Sequence, residues 1–233
     1  MPIGIIVNVG AVLIGGLVGT ALRKALPECL RAQLPLYCGL MSFVIGIATM
    51  KSLTTLTAVI GALLIGAVIG ELLRLEDRLN HVGAAVQDWT VRRLPALTSA
   101  GADTDMLIAV TVLFVFNGSG FFGALQEGMT GDGAFLLTKS VLDFVTAVVF
   151  AAALGIVVSL LAAPQAIILF ALFAVAGLLA PYCTPTMLND FSACGGAIMF
   201  FTGFRICKMR DVPVTNLLPA LVLVMPLSRL FGQ

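Results

Sequence analysis

Residues 37–51, YCGLMSFVIGIATMK, and residues 194–208, CGGAIMFFTGFRICK, decide how the chain is read. At an offset of 157 they share Gly39 with Gly196, Phe43 with Phe200, Gly46 with Gly203 and Lys51 with Lys208. Both are short for a bilayer crossing, which takes about 20 mostly apolar residues. Working outward, apolar runs at 3–22, 36–50, 56–75, 106–125, 141–162, 165–181, 192–206 and 213–231 predict eight spans, the two quoted segments being the second and seventh. Two segments five crossings apart pass the membrane in opposite directions. The reading is therefore an all-α polytopic bundle with an inverted-topology repeat, spans one to three against six to eight. A seven-span arrangement with 192–206 re-entrant is the competing topology.

Composition supports the class. Of 233 residues 60% are hydrophobic and 11% charged, and the mean hydropathy is +1.10, whereas a soluble domain carries about 25% charged residues. A net charge of +1 gives no basic field for nucleic acid, so the partner read from composition is the lipid bilayer. Cys29, Cys38, Cys183, Cys194 and Cys207 form no C-x-x-C pair, and His81 is the one histidine. Neither a metal site nor a Ser/His/Asp triad has its parts, and no Walker-type phosphate loop is present; no enzyme activity and no cofactor are expected. The start, MPIGIIVNVG, lacks the basic region and cleavage pattern of a removable signal peptide.

Loop cations set the expected orientation. With the N-terminus outside, Arg23, Lys24, Arg31, Arg74, Arg78, Arg92, Arg93, Arg205, Lys208 and Arg210 fall inside, and Lys51, Lys139 and Arg229 outside. Residues 1–233 thus form a single transmembrane domain, interrupted at 76–104 by a cytoplasmic amphipathic helix and linker between spans three and four. In that helix Leu75, Leu79, Val82, Val86 and Trp89 share one face. It either lies in the interface with Arg92 and Arg93 near phosphates or docks a cytoplasmic partner.

Polar groups at membrane depth are costly and ask for an explanation. Asn117 and Ser119, between Gly118 and Gly120, form the deepest such cluster, and Ser42 and Thr202 stand beside the repeat glycines Gly39, Gly46, Gly196 and Gly203. These eight residues, Asn117, Ser119, Ser42, Thr202 and the four glycines, are the candidate solute- or ion-binding set, on one midplane cavity between copies. The plainer alternatives are interhelical hydrogen bonds and close helix packing. Glu127, Asp132, Lys139 and Asp143 read either as an external vestibule favouring cations or, for Lys139 with Asp143, as an ion pair at the outer start of span five. Asn8 and Asn216 read as helix-end caps or interhelical links, Glu71 with Arg74 as an interfacial pair, and Gly15/Gly19 and Gly66/Gly70 as packing faces.

At GALLIGAVIGELLRLEDRLNHVG (61–83), FFGALQEGMTGDGAFLLTKSVLDF (121–144) and TNLLPALV (215–222) the chain resembles the YqgA-like family of bacterial inner-membrane proteins. The middle stretch, which sets Gly123, Glu127, Gly128, Lys139 and Asp143 in one frame, is the most specific. The resemblance implies a multi-pass protein of the bacterial cytoplasmic membrane, sometimes labelled a transporter, and supplies neither substrate nor binding residues. The function expected is transport or conduction of a small solute or ion, with a homo-oligomer compatible with it. The alternative is a structural or regulatory membrane subunit acting through the amphipathic helix.

Overall fold

The computed structural model describes residues 1–93, 104–210 and 212–232 and is helical, with no strand among them. Eleven α-helices follow in order: α1 Ile3–Ala21, α2 Glu28–Met50, α3 Leu56–Leu72, α4 Leu75–Arg93, α5 Thr104–Val115, α6 Gly118–Thr130, α7 Ala134–Leu154, α8 Val157–Leu160, α9 Ala162–Leu179, α10 Pro185–Ile206 and α11 Leu218–Phe231. The linker expected up to residue 104 falls mostly outside the described residues, as do the side chains of Val86, Trp89, Arg92 and Arg93.

Among the described residues six stretches are long and apolar enough to cross a membrane: α1, α2, Ala109–Thr130 (α5 with α6), α7, Val157–Tyr182 (α8 with α9) and Val214–Phe231. Counting α3 with the start of α4, bent by 57°, makes seven. The reading of eight apolar spans overcounts by this measure, and the difference is α10. Its seven consecutive residues Ala193–Met199 are all buried, so protein surrounds the helix on every side. A helix whose middle is enclosed by protein has no need there of the lipophilic composition that lipid contact imposes, and α10 accordingly carries the fully buried Asp190.

The structure corrects three boundaries. The second and seventh segments are neither short nor broken at their glycines, because α2 has 23 residues with Pro35 inside and α10 has 22 with Pro185 at its first turn. The fifth and sixth spans separate not at Pro164, which sits in the first turn of α9 where a missing N–H is harmless, but at Gly155, whose φ of +83° suits glycine. The expected fourth span is the discontinuous one, interrupted between Val115 and Gly118.

Glycines set the helix pairings. A Cβ on Gly15 would lie 2.7 Å from the Phe144 carbonyl, and one on Gly19 would overlap that of Val148, so α1 runs parallel to α7. Gly39 faces Gly203 and Gly46 faces Gly196, which makes α2 antiparallel to α10. Gly66 against Ala220 and Gly70 against Asn216 make α3 antiparallel to α11. In this respect the repeat glycines are close-packing devices. Phe43 closes the α2/α10 seam edge-on to Phe200 and Phe204, each at 4.9 Å.

Candidate functional site

The interruption of α5/α6 follows from its sequence, FNGSG. Asn and Ser compete for local hydrogen bonds that a continuous helix does not offer, and two glycines weaken helix propagation. Asn117 takes extended geometry and caps α6: its Oδ1 accepts from the Ser119 backbone N–H at 3.1 Å and the Ser119 hydroxyl at 2.9 Å. The N-terminus of α6, with its partial positive charge, therefore lies in the interior of the chain.

Facing this break on α7 are Lys139 and Asp143, four residues apart and so on one helix face. They are 2% and 8% exposed, which corrects the view of them as an ion pair at the outer surface. Lys139 Nζ donates to Asp143 Oδ2, and Asn8 Nδ2 on α1 donates to the same oxygen at 2.7 Å. Gln165 Nε2 on α9 then donates to Asn8 Oδ1 at 2.8 Å. Asn8 is thus an interhelical link within a chain of polar groups across α7, α1 and α9.

Ser42, Asn117, Ser119, Thr202, Lys139, Asp143 and Thr146 line one cavity of about 20 Å³, the room of about one water molecule. The four hydroxyl and amide residues expected together are brought together. Gly39, Gly46, Gly196 and Gly203 do not line it; their faces are occupied by the opposing helix backbone. Ser42 and Thr202 donate to the carbonyls of Cys38 (3.0 Å) and Ile198 (2.8 Å) in their own helices. Leu113, Thr146 and Ile206 line both this cavity and a much larger groove of about 690 Å³, which also holds Arg31, Arg205 and Lys208 among apolar walls. A smaller space of about 10 Å³ between Asn117, Thr202 and Arg205 lies alongside.

The acidic residues expected to line an external vestibule are not gathered there. Glu127, 1% exposed, accepts from the backbone N–H groups of Gly4 (2.7 Å) and Ile5 (3.1 Å), satisfying the first turn of α1. Asp132 is exposed and accepts from Ala134 N–H at the start of α7. Glu71 accepts from Asn216 Nδ2 at 2.5 Å rather than pairing with Arg74, while Arg74 takes a positive φ of 49° at the α3/α4 bend. Asn216 Oδ1 accepts from Glu76 N–H at 2.8 Å, and the Glu76 carboxylate holds Arg205 at 2.6 Å.

Sequence reasoning missed Asp190, which is fully buried. It accepts from Thr54 N–H (2.9 Å), Thr55 N–H (2.7 Å) and Ser228 Oγ (2.6 Å), tying α10 to the starts of α3 and α11's last turn. The seventh span was drawn from residue 192, which left Asp190 in a loop; its position six residues into a Thr-Pro helix start was the available signal. Thr146 was also missed, although it follows Lys139 and Asp143 at helical spacing on α7; the Arg31, Arg205 and Lys208 rim was missed because nothing in the local sequence joins α2 to the end of α10.

The match to a family of proteins of unknown function, DUF554, covers residues 3–229. The chain belongs to the DUF554 family. It is 44% identical over 230 residues to the uncharacterized protein YqgA of Escherichia coli strain K12, covering 98% of this chain and 97% of that one. It is 23% identical over 229 residues to the uncharacterized membrane protein YdfK of Bacillus subtilis strain 168, covering 94% and 93%. No solved structure matches the chain. This DUF554 chain is, with its apolar helices and a relative described as a membrane protein, a multi-pass membrane protein.

Proposed function

We propose that the chain is a transporter or channel that moves a small solute or ion, chemically unchanged, through the polar cavity between α2, α5/α6, α7 and α10. The observation that carries this reading is the interrupted helix at Asn117. Its capped N-terminus stands beside a buried Lys139–Asp143 pair at a cavity adjoining an open groove. Discontinuous helices at a polar midplane site are a device of transporters, tolerated in the membrane where protein buries them or where they line a cavity, as Asn117 does.

The architecture we infer is eight crossings with an inverted repeat of α1–α3 against α9–α11. Shifted by the 157-residue offset, α2 (28–50) becomes 185–207, against 185–206 for α10, and α3 (56–72) becomes 213–229, against the helical stretch 214–231. Asn8 and Gln165 occupy equivalent positions at that offset and hydrogen bond to each other, as residues near a pseudo-two-fold axis can. The start of α2, with Arg31, and the end of α10 with the turn after it, with Arg205 and Lys208, frame the groove. By the positive-inside rule this groove faces the cytoplasm and both termini lie outside, in a bacterial cytoplasmic membrane.

Purified protein in proteoliposomes tests the reading by solute and ion flux. Asn117→Ser keeps a good helix cap but removes the amide, and is expected to lower flux about tenfold with the yield of folded protein unchanged. Asn117→Leu removes cap and amide together and loses both. Absence of flux from folded wild-type protein that co-purifies with a partner favours the subunit reading, in which α4 is the docking element.

A further inference from the structure

We propose, resting on the transport reading above, that the solute is a small inorganic anion of halide size, held between Lys139 and Asn117. The inference comes from the hydrogen bonds the cavity leaves unmade. An ammonium carries three donors, yet Lys139 has one protein partner among the described residues, Asp143. The Asn117 side chain spends its oxygen on Ser119, and its Nδ2 donates to no protein group among the described residues. Both groups line the same cavity. The hydroxyl protons of Ser42, Ser119 and Thr202 are committed to Cys38, Asn117 and Ile198, so the donors left facing the cavity are the ammonium, the amide and the Thr146 hydroxyl, supplemented by the positive end of α6.

Charge acts in the same direction. Lys139 and Asp143 together leave the cavity neutral, which suits a ligand that must leave again, so the net charge that acts on a ligand comes from the groove outside it. The groove leading to it holds Arg31, Arg205 and Lys208; of these Arg205 is engaged by Glu76, and Arg31 donates to the Arg23 carbonyl, which leaves its charge unneutralised. A cationic rim over apolar walls draws anions inward. The cavity's size, about 20 Å³, limits the occupant to something near a water molecule in volume. Larger organic anions and lipid headgroups fit the groove but not this space.

The probe is chloride, alongside nitrate, potassium, sodium and glycerol, in proteoliposomes with the membrane potential clamped. Wild-type protein is expected to carry chloride in preference to either cation. Lys139→Gln is expected to lower chloride flux at least tenfold, the loss of one charge-assisted hydrogen bond. Asp143→Asn gives the cavity a net positive charge and is expected to lower the half-saturating chloride concentration about tenfold; a cation site gives the opposite sign. Should Lys139→Gln fail to fold, Arg31→Gln with Lys208→Gln at the rim is expected to slow chloride flux most at low ionic strength. Potassium, sodium or glycerol flux without chloride flux, or weaker chloride binding in Asp143→Asn, overturns the anion assignment and leaves transport standing. No flux of any probe from folded protein overturns both.

Discussion

Gly70→Ala is expected to separate α3 from α11 and to destabilise the protein by about 1–3 kcal/mol or more, the cost of overpacking a closed seam. A Cβ at this position would overlap the backbone carbonyl of Asn216, and one at Gly66 would come within 2.5 Å of Ala220 N. Neither neighbour is a side-chain tip that can swing aside, so the helices themselves must move. Asn216 is also the residue that holds Glu71 and the first turn of α4. The substitution therefore disturbs the α3/α4 bend as well as the seam. Thermal unfolding in detergent, followed by fluorescence-detected gel filtration, checks it. Gly61→Ala, about two and a half turns away from that overlap on the same helix and with only Leu227 Cδ1 at 3.9 Å, is the control and is expected to be neutral.

Asp190→Ala is expected to cost about 2–4 kcal/mol, because it strips partners from two backbone N–H groups at the start of α3 and from the Ser228 hydroxyl. For a chain of this length that corresponds to a fall in melting temperature of roughly 5–10 °C. Asp190→Asn keeps one acceptor oxygen on the Thr54 and Thr55 amides and is expected to lose less than half as much. An equal loss in both variants would show that the charge, rather than the acceptor geometry, holds the three segments together.

These two residues mark how far the sequence could be read. Apolar periodicity is a property of neighbours along the chain, and it located the helices where lipid is their solvent. It placed α1 and α11 within a few residues of their bounds, and it anticipated the shared glycine register of α2 and α10. It failed where protein replaces lipid. Enclosure by other helices lets α10 begin seven residues earlier than its apolar run and carry Asp190 inside. The same enclosure turns Lys139 and Asp143 from an outer ion pair into a buried one.

The candidate site was legible in part for a related reason. Asn117, Ser119, Ser42 and Thr202 stood out as polar residues within apolar runs, and the structure gathers them on one cavity. The glycines beside them carried the same sequence signal but face helix backbone instead, since close packing and backbone exposure both select small residues. Asn8 and Gln165 join the site only through the parallel packing of α1 on α7 and the return of α9, which are long-range pairings with no local signature. Glu127 shows the converse. A carboxylate near charged neighbours suggested a vestibule, whereas its geometry is that of a cap for a helix start more than a hundred residues away.

The proposed transport route requires that water reach the polar cavity from one side, through the groove that bears Arg31, Arg205 and Lys208. Thr146 lines both the groove and the cavity, so Thr146→Cys, with the five native cysteines replaced, reports on the neck between them. In vesicles of defined orientation the cysteine is expected to react with a membrane-impermeant thiol reagent added on the Arg31, Arg205 and Lys208 side, and to stay unreacted when the reagent is added on the other. Reaction from the opposite side alone, or no reaction from either, would contradict the account.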